Sequence, residues 1–142
     1  MSSNQILSRL SRQEFALLEP HLEAVDLPVR KTLEVRRRRI DQVYFIESGF
    51  ASVVANGTSK PGIEVGIIGR EGMTGLGIVL GNDRAPHETY IQVAGKGQRM
   101  SAPNLREVIA QSAGLHHALL RLCTRVPHAN HVYGARQRPQ QD

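Results

Sequence analysis

Between Leu22 and Met100 the chain is a succession of short apolar runs, each stopped by a turn-forming residue. The runs are Leu22–Leu27, Lys31–Val35, Gln42–Ile46, Phe50–Ala55, Ile63–Ile68, Thr89–Val93 and Gly97–Met100. Asp26-Leu-Pro28, Glu47-Ser-Gly49, Asn56-Gly57, Pro61-Gly62 and Ala94-Gly95 punctuate them. Many short strands at close, regular spacing with Gly/Pro turns predict an antiparallel roll or barrel of seven or eight strands. Asn56-Gly57 is a two-residue hairpin signal, with Thr58 to Lys60 also reading as loop.

Helices flank this β region. Leu7, Leu10, Phe15, Leu17 and Leu18 are near-helically spaced, and Ser11-Arg-Gln-Glu14 has the form of a capping box. Pro20 is expected to end that helix. After Met100, Ser101-Ala-Pro-Asn104 opens a helix whose apolar face is Leu105, Val108 and Ile109. Gly114 is read as the break before a last helix carrying Leu115, Leu119, Leu120 and Leu122, which fades at Pro127. With 142 residues there is room for one domain of ordinary size. The expected fold is therefore mainly β, an antiparallel jelly roll with a short N-terminal helix and C-terminal helices.

Six of the thirteen glycines fall between Glu64 and Ala85, among Ile, Val and Leu, and an Arg84-Ala85 pair closes the window. Glycine lets backbone approach a ligand closely, and successive free N–H groups in such a turn form an anion-attracting concavity. An arginine shortly afterwards adds a planar fork matched to phosphate or carboxylate. The window reads as an anion-binding cassette set between the fifth and sixth strands.

Charge and cysteine usage narrow the classes. Net charge is +5, concentrated in Arg30, Lys31 and Arg36 to Arg39, and again in Arg121, Arg125, Arg136 and Arg138. With no Trp, three Phe and three Tyr, no aromatic platform for single-stranded nucleic acid is visible. The basic clusters read as solvated faces, Arg36 to Arg39 as an exposed loop. One cysteine, Cys123, excludes an internal disulfide, fits a reducing compartment, and reads as a buried thiol on the helix face. Met-Ser-Ser-Asn-Gln lacks the basic and apolar regions of a signal peptide, and no apolar run approaches the roughly 20 residues that span a bilayer. A cytoplasmic protein without membrane attachment is expected.

Catalysis and metal binding find little support. His116-His117 and His128-x-x-His131 have no cysteine cluster or carboxylate at ligand spacing. A cupin-type enzyme would need several histidines on the strands, where only His21, at the edge, and His87 occur. The chain is read as a non-enzyme with no metal.

Leu27-Pro28, Asp41-Gln-Val-Tyr-Phe-Ile-Glu-Ser-Gly49, Val65-Gly-Ile-Ile-Gly-Arg-Glu-Gly-Met73 and Gly81-Asn-Asp-Arg84-Ala85 occur in this order. Together they resemble the Crp/Fnr family of bacterial transcription regulators, over its N-terminal cyclic-nucleotide-binding sensor domain. The resemblance implies a sensor domain over 1–123, homodimerisation through a long helix, and a small anionic effector such as a cyclic nucleotide. By the same resemblance, Gly69, Glu71, Gly72, Thr74, Gly75, Leu76, Arg84 and Ala85 form the ligand cassette, with Arg84 as the phosphate-binding arginine. The sequence departs from the family at the ribose-binding glutamate: Thr74 and Gly75 stand near that position, and Glu71 several residues earlier. A threonine cannot supply the charge-assisted bond a carboxylate gives.

Family members continue into a helix-turn-helix that binds DNA. Here the segment 124–142 loses leucine spacing after Pro127 and reads as an irregular tail. Reading the codons for His131 to Gln141 one base later is compatible with continuation of the family's long helix, so the tail is a candidate frameshift. On this reading the chain itself is not expected to bind an operator. A stand-alone anion-binding or dimerising jelly roll, or an inactive fragment, is the alternative.

Overall fold

A computed structural model describes residues 2–55 and 63–125. The Asn56-Gly57 hairpin and the tail reading beyond residue 125 lie outside the described residues. Two short helices open the chain, α1 (Gln5–Arg9) and α2 (Arg12–Leu18), followed by a 3₁₀ turn at Glu19–His21. The sequence reading had one helix here. Leu10 takes an extended conformation and ends α1, and Ser11 starts α2 with the expected capping box to Glu14.

Seven strands follow: β1 (Glu23–Leu27), β2 (Thr32–Glu34), β3 (Gln42–Ile46), β4 (Phe50–Ala55), β5 (Ile63–Ile68), β6 (Glu88–Val93) and β7 (Gly95–Ser101). They form two antiparallel sheets, one ordered β1-β7-β3 and the other β2-β6-β4-β5. Between β5 and β6 lies a single helical turn, α3 (Leu76–Val79). The C-terminal helices are α4 (Ala102–Gln111) and α5 (Ala113–Arg125). Among the described residues no helix is long and apolar enough to cross a membrane.

The expected start of α4 is present: Ser101 Oγ accepts from Asn104 N at 3.1 Å. The break before α5 falls at Ser112 instead of Gly114. Ser112 leaves the helical conformation and its hydroxyl accepts from Leu115 N at 3.1 Å. A side-chain oxygen that meets an otherwise orphaned N–H decides the boundary more strongly than a glycine two residues later.

β3 explains how the core is built. Its Val-Tyr-Phe-Ile run is buried on both faces, and alternate side chains enter two separate clusters. Tyr44 and Ile46 join Leu27, Ala51, Val53, Ile68 and Ile91, which come from both sheets and fill the roll. Val43 and Phe45 point the other way, into a cluster shared by the helices and α3. That second cluster seats the glycine window against β3, where Phe45 also bridges to Met73.

Candidate functional site

The cassette is fixed to the roll by both backbone and side-chain bonds. Gly69 O accepts from Gly72 N at 3.0 Å, and Glu71 folds its carboxylate back over Gly69. Gly72 O accepts from the buried Asn4 side chain at 2.8 Å. Thr74 pairs with β3 in both directions: its N–H donates to Tyr44 O at 2.9 Å and its hydroxyl accepts from Tyr44 N at 3.0 Å. Leu76 is buried in the helix-side core. These residues build and hold the turn.

At Gly75 the turn takes a left-handed conformation. This residue has a positive φ of 76° and precedes α3 with its N–H pointing inward. That N–H donates to Glu34 Oε2 at 2.7 Å. Glu34 Oε1 accepts from the Thr89 hydroxyl at 3.3 Å. Gly75 thus meets a carboxylate from β2, 41 positions away.

A bulge brings Glu34 inside. Thr32 pairs with Tyr90, and Glu34 with Thr89, so two steps on β2 match one on β6. Such a bulge re-aims a side chain: Leu33 packs beside the roll interior while Glu34 is buried as well. Burial pushes the Glu34 carboxyl above the ordinary carboxylate range, opposed by the bonds from Gly75 and Thr89. The sequence reading did not single out Glu34, and strict alternation would not have placed it inward.

Arg84 and Ala85 face a different partner. Arg84 Nη1 donates to Arg37 O at 3.1 Å at the surface, and Ala85 N donates to Arg38 O at 3.1 Å. Arg37 N in turn donates to Ala85 O at 2.8 Å, which helps hold Arg37 at a positive φ of 69°. Arg37, Arg38 and Arg39 are exposed as expected, whereas Arg36, read as part of the same exposed loop, is half-buried. Yet the segment is laced to the cassette as two isolated bridges, Arg36 to Ala85 and Arg39 to Arg84. Like charges placed directly opposite repel. Among the described residues none of these arginines forms an ion pair.

The structure therefore gathers Thr74, Gly75 and Leu76 around β3 and Glu34, and Arg84 and Ala85 around the arginine segment. A recess of about 410 Å³ is bordered by Glu34, Arg38, Arg39, Asp41, Tyr44 and Ala85.

Solved structures with this architecture are numerous. A cyclic nucleotide-binding domain from Methylobacillus flagellatus matches with a TM-score of 0.71 at 13% identity, over 98% of this chain and 84% of that one. The N-terminal domain of a transcriptional regulator from Streptomyces coelicolor matches at 0.62 and 15% identity, over 98% and 94%. A regulatory subunit of a cAMP-independent protein kinase A from Trypanosoma brucei matches at 0.71 and 15% identity, over 95% of this chain and 48% of the subunit. No protein-family model and no curated protein sequence matches. The fold is the jelly roll of cyclic nucleotide-binding domains.

Proposed function

We propose that the chain, over 1–123, is the effector-sensing domain of a homodimeric, Crp/Fnr-like transcription regulator. It acts by binding and not by catalysis. Its effector is a small anion, a cyclic nucleotide or a simpler phosphate, engaged by Arg84 and the arginine segment over Ala85. The observation that carries this reading is the apposition of Arg84 with Arg36 to Arg39, without an acidic partner among the described residues. An anion seated there removes the repulsion and meets a fork of guanidinium donors. Glu34 satisfies the inner amide of Gly75, so recognition shifts to the outer, arginine side of the cassette. The tail 124–142 is proposed as a frame-shifted remnant of the helix toward a DNA reader, which sequencing of the gene through those codons decides.

Amide NMR titration with cyclic AMP, cyclic GMP and inorganic phosphate tests the effector. Saturable shifts are expected at Arg37 to Arg39 and Thr74 to Ala85, and Arg84→Ala should abolish them. Binding that survives Arg84→Ala, or no response to any of the three anions, overturns the assignment.

A further inference from the structure

β2 lies at the edge of the four-stranded sheet, and cations stand at both of its ends. Arg30 and Lys31 precede it, Arg36 to Arg39 follow it, and Arg84 is bridged to Arg39. Sequence alone reads this cluster as a solvated face; the fold strings it along one sheet edge. Arg30, Arg37, Arg38, Arg39 and Arg84 are exposed. Among the described residues no ion pair neutralises any cation of the stripe. Asp41 and Asp83 lie at the Arg39 end, Asp26 is paired with Lys96, and buried Glu34 has both oxygens bonded.

Two of these arginines are held in a backbone conformation that side chains disfavour. Arg30 has a φ of 75° and Arg37 of 69°, and among the described residues they are the non-glycine residues with positive φ. Arg30 N donates to Ile91 O at 2.7 Å, and Arg37 N to Ala85 O at 2.8 Å. One pins the chain before β2 and the other pins it after. Both side chains are exposed, so core packing gives no reason for an arginine at either place. Backbone strain of this kind collects at ligand clamps.

Spacing selects the ligand. Lys31 and Arg36 stand at opposite ends of an extended segment, on the order of 15 Å apart. That is about twice the screening length in physiological salt. A small anion seated at Arg84 therefore leaves Arg30 and Lys31 without a counter-charge. A ligand that meets both ends must carry negative charges in series, and duplex DNA presents one about every 3.4 Å on each strand. Tyr90, opposite Thr32, is half-buried, and one ring gives no platform for successive bases.

We propose that the β2 edge, from Arg30 to Arg38, is a sequence-independent docking surface for the phosphodiester backbone of duplex DNA. It goes beyond the effector reading, because Arg30 and Lys31 lie outside the effector seat.

Fluorescence polarisation of a labelled random-sequence duplex on the full chain, across about 50 to 200 mM salt, tests this surface. Affinity should fall with a log–log slope of about −4, the value for four or five phosphates. Arg30→Gln/Lys31→Gln should flatten that slope by about two and weaken binding at every salt concentration, and Arg37→Gln/Arg38→Gln should do the same. Arg9→Gln/Arg12→Gln removes equal charge from exposed positions on α1 and α2 and should leave the slope unchanged. Arg30→Gly relieves the positive φ, so it should melt at or above the wild-type temperature yet bind the duplex more weakly. No binding at the lowest salt, equal losses in the stripe and Arg9/Arg12 variants, or a lower melting temperature in Arg30→Gly would overturn the surface. Tighter binding of a single strand or of a poly-glutamate peptide than of the duplex would overturn it too. Arg30→Gln/Lys31→Gln should keep the phosphate-induced amide shifts around Arg84, so this surface and the effector seat fail separately.

Discussion

Gly75 N–H and Glu34 Oε2 lie 2.7 Å apart, and this bond closes the cassette from within. The donor sits at a left-handed turn ahead of α3, and the acceptor comes from a bulged strand in the four-stranded sheet. An internal carboxylate thus satisfies the inner amide of the turn. The arrangement separates the buried amide from the exposed guanidinium of Arg84, although the sequence places them only nine positions apart.

Glu34→Ala and Glu34→Gln should part company. Alanine leaves the buried Gly75 N–H unsatisfied, costing about 1–3 kcal/mol. Glutamine can accept from Gly75 through its oxygen and donate to the Thr89 hydroxyl, so both links survive without a buried charge. The pH dependence follows from the raised carboxyl of Glu34. A group whose folded pKa lies above its unfolded value contributes stability below the unfolded pKa and loses it as pH rises through the folded pKa. Urea denaturation across that window should therefore show Glu34→Gln gaining on the wild type as pH increases. A wild type that gains on Glu34→Gln instead would mean the ionised carboxylate is net favoured in the fold.

Gly75→Ala and Gly81→Ala separate backbone strain from steric overlap. Both glycines have positive φ, 76° and 96°. A Cβ at Gly75 would lie 2.3 Å from Val43 Cγ1, whereas at Gly81 nothing lies within 4 Å. Left-handed strain alone costs on the order of 1 kcal/mol. Displacing a packed core side chain adds roughly 1–3 kcal/mol. Thermal unfolding should therefore rank Gly75→Ala well below Gly81→Ala. Equal losses would show that Val43 yields without resistance.

The sequence carried the strands more fully than the site, for a physical reason. β3, β4 and β5 run over the expected residues because a continuous apolar run between turn residues is a local signal. The Ser11 and Ser101 caps are equally local. The cassette glycines were legible as a group, but two decisive partners were not. Glu34 reaches Gly75 only because a bulge against β6 turns it inward, and pairing between distant strands leaves no trace in spacing. The direction of the Arg84 side chain depends on the arginine segment folding back onto Ala85. Four arginines in a row gave no hint of that docking.

Asn4 is another residue whose role emerges only in three dimensions. Its Oδ1 accepts from Ile6 N at 2.9 Å and Leu7 N at 3.2 Å, capping α1. Its Nδ2 donates to Ile46 O at 2.7 Å and Gly72 O at 2.8 Å, tying that helix to β3 and the cassette. The side chain is fully buried, so each lost partner is stranded away from water. Asn4→Ala should cost roughly 2–4 kcal/mol, a cap plus orphaned carbonyls. Asn4→Asp keeps the cap yet loses both donors and buries a charge, and should be no more stable. An aspartate variant with wild-type denaturation would sink the view that the amide nitrogen matters.

Cys123 offers a direct kinetic probe of the helix-side core. It is buried on α5, with Sγ 3.8 Å from Met73 Sδ in the cassette. Burial pushes its thiol up to about 12. The thiolate is the reactive form, and four pKa units above pH 8 leave only about one part in ten thousand ionised. A disulfide reagent at about pH 8 should therefore label the native protein far more slowly than a free thiol, whose pKa is about 8.5. Labelling should become complete in denaturant, and its native rate should rise in destabilised variants such as Gly75→Ala, because access then depends on opening of the α5–cassette contact. Fast labelling in a fully folded sample, with no change in Gly75→Ala, would place the thiol at the surface and contradict the packing of α5 on Met73.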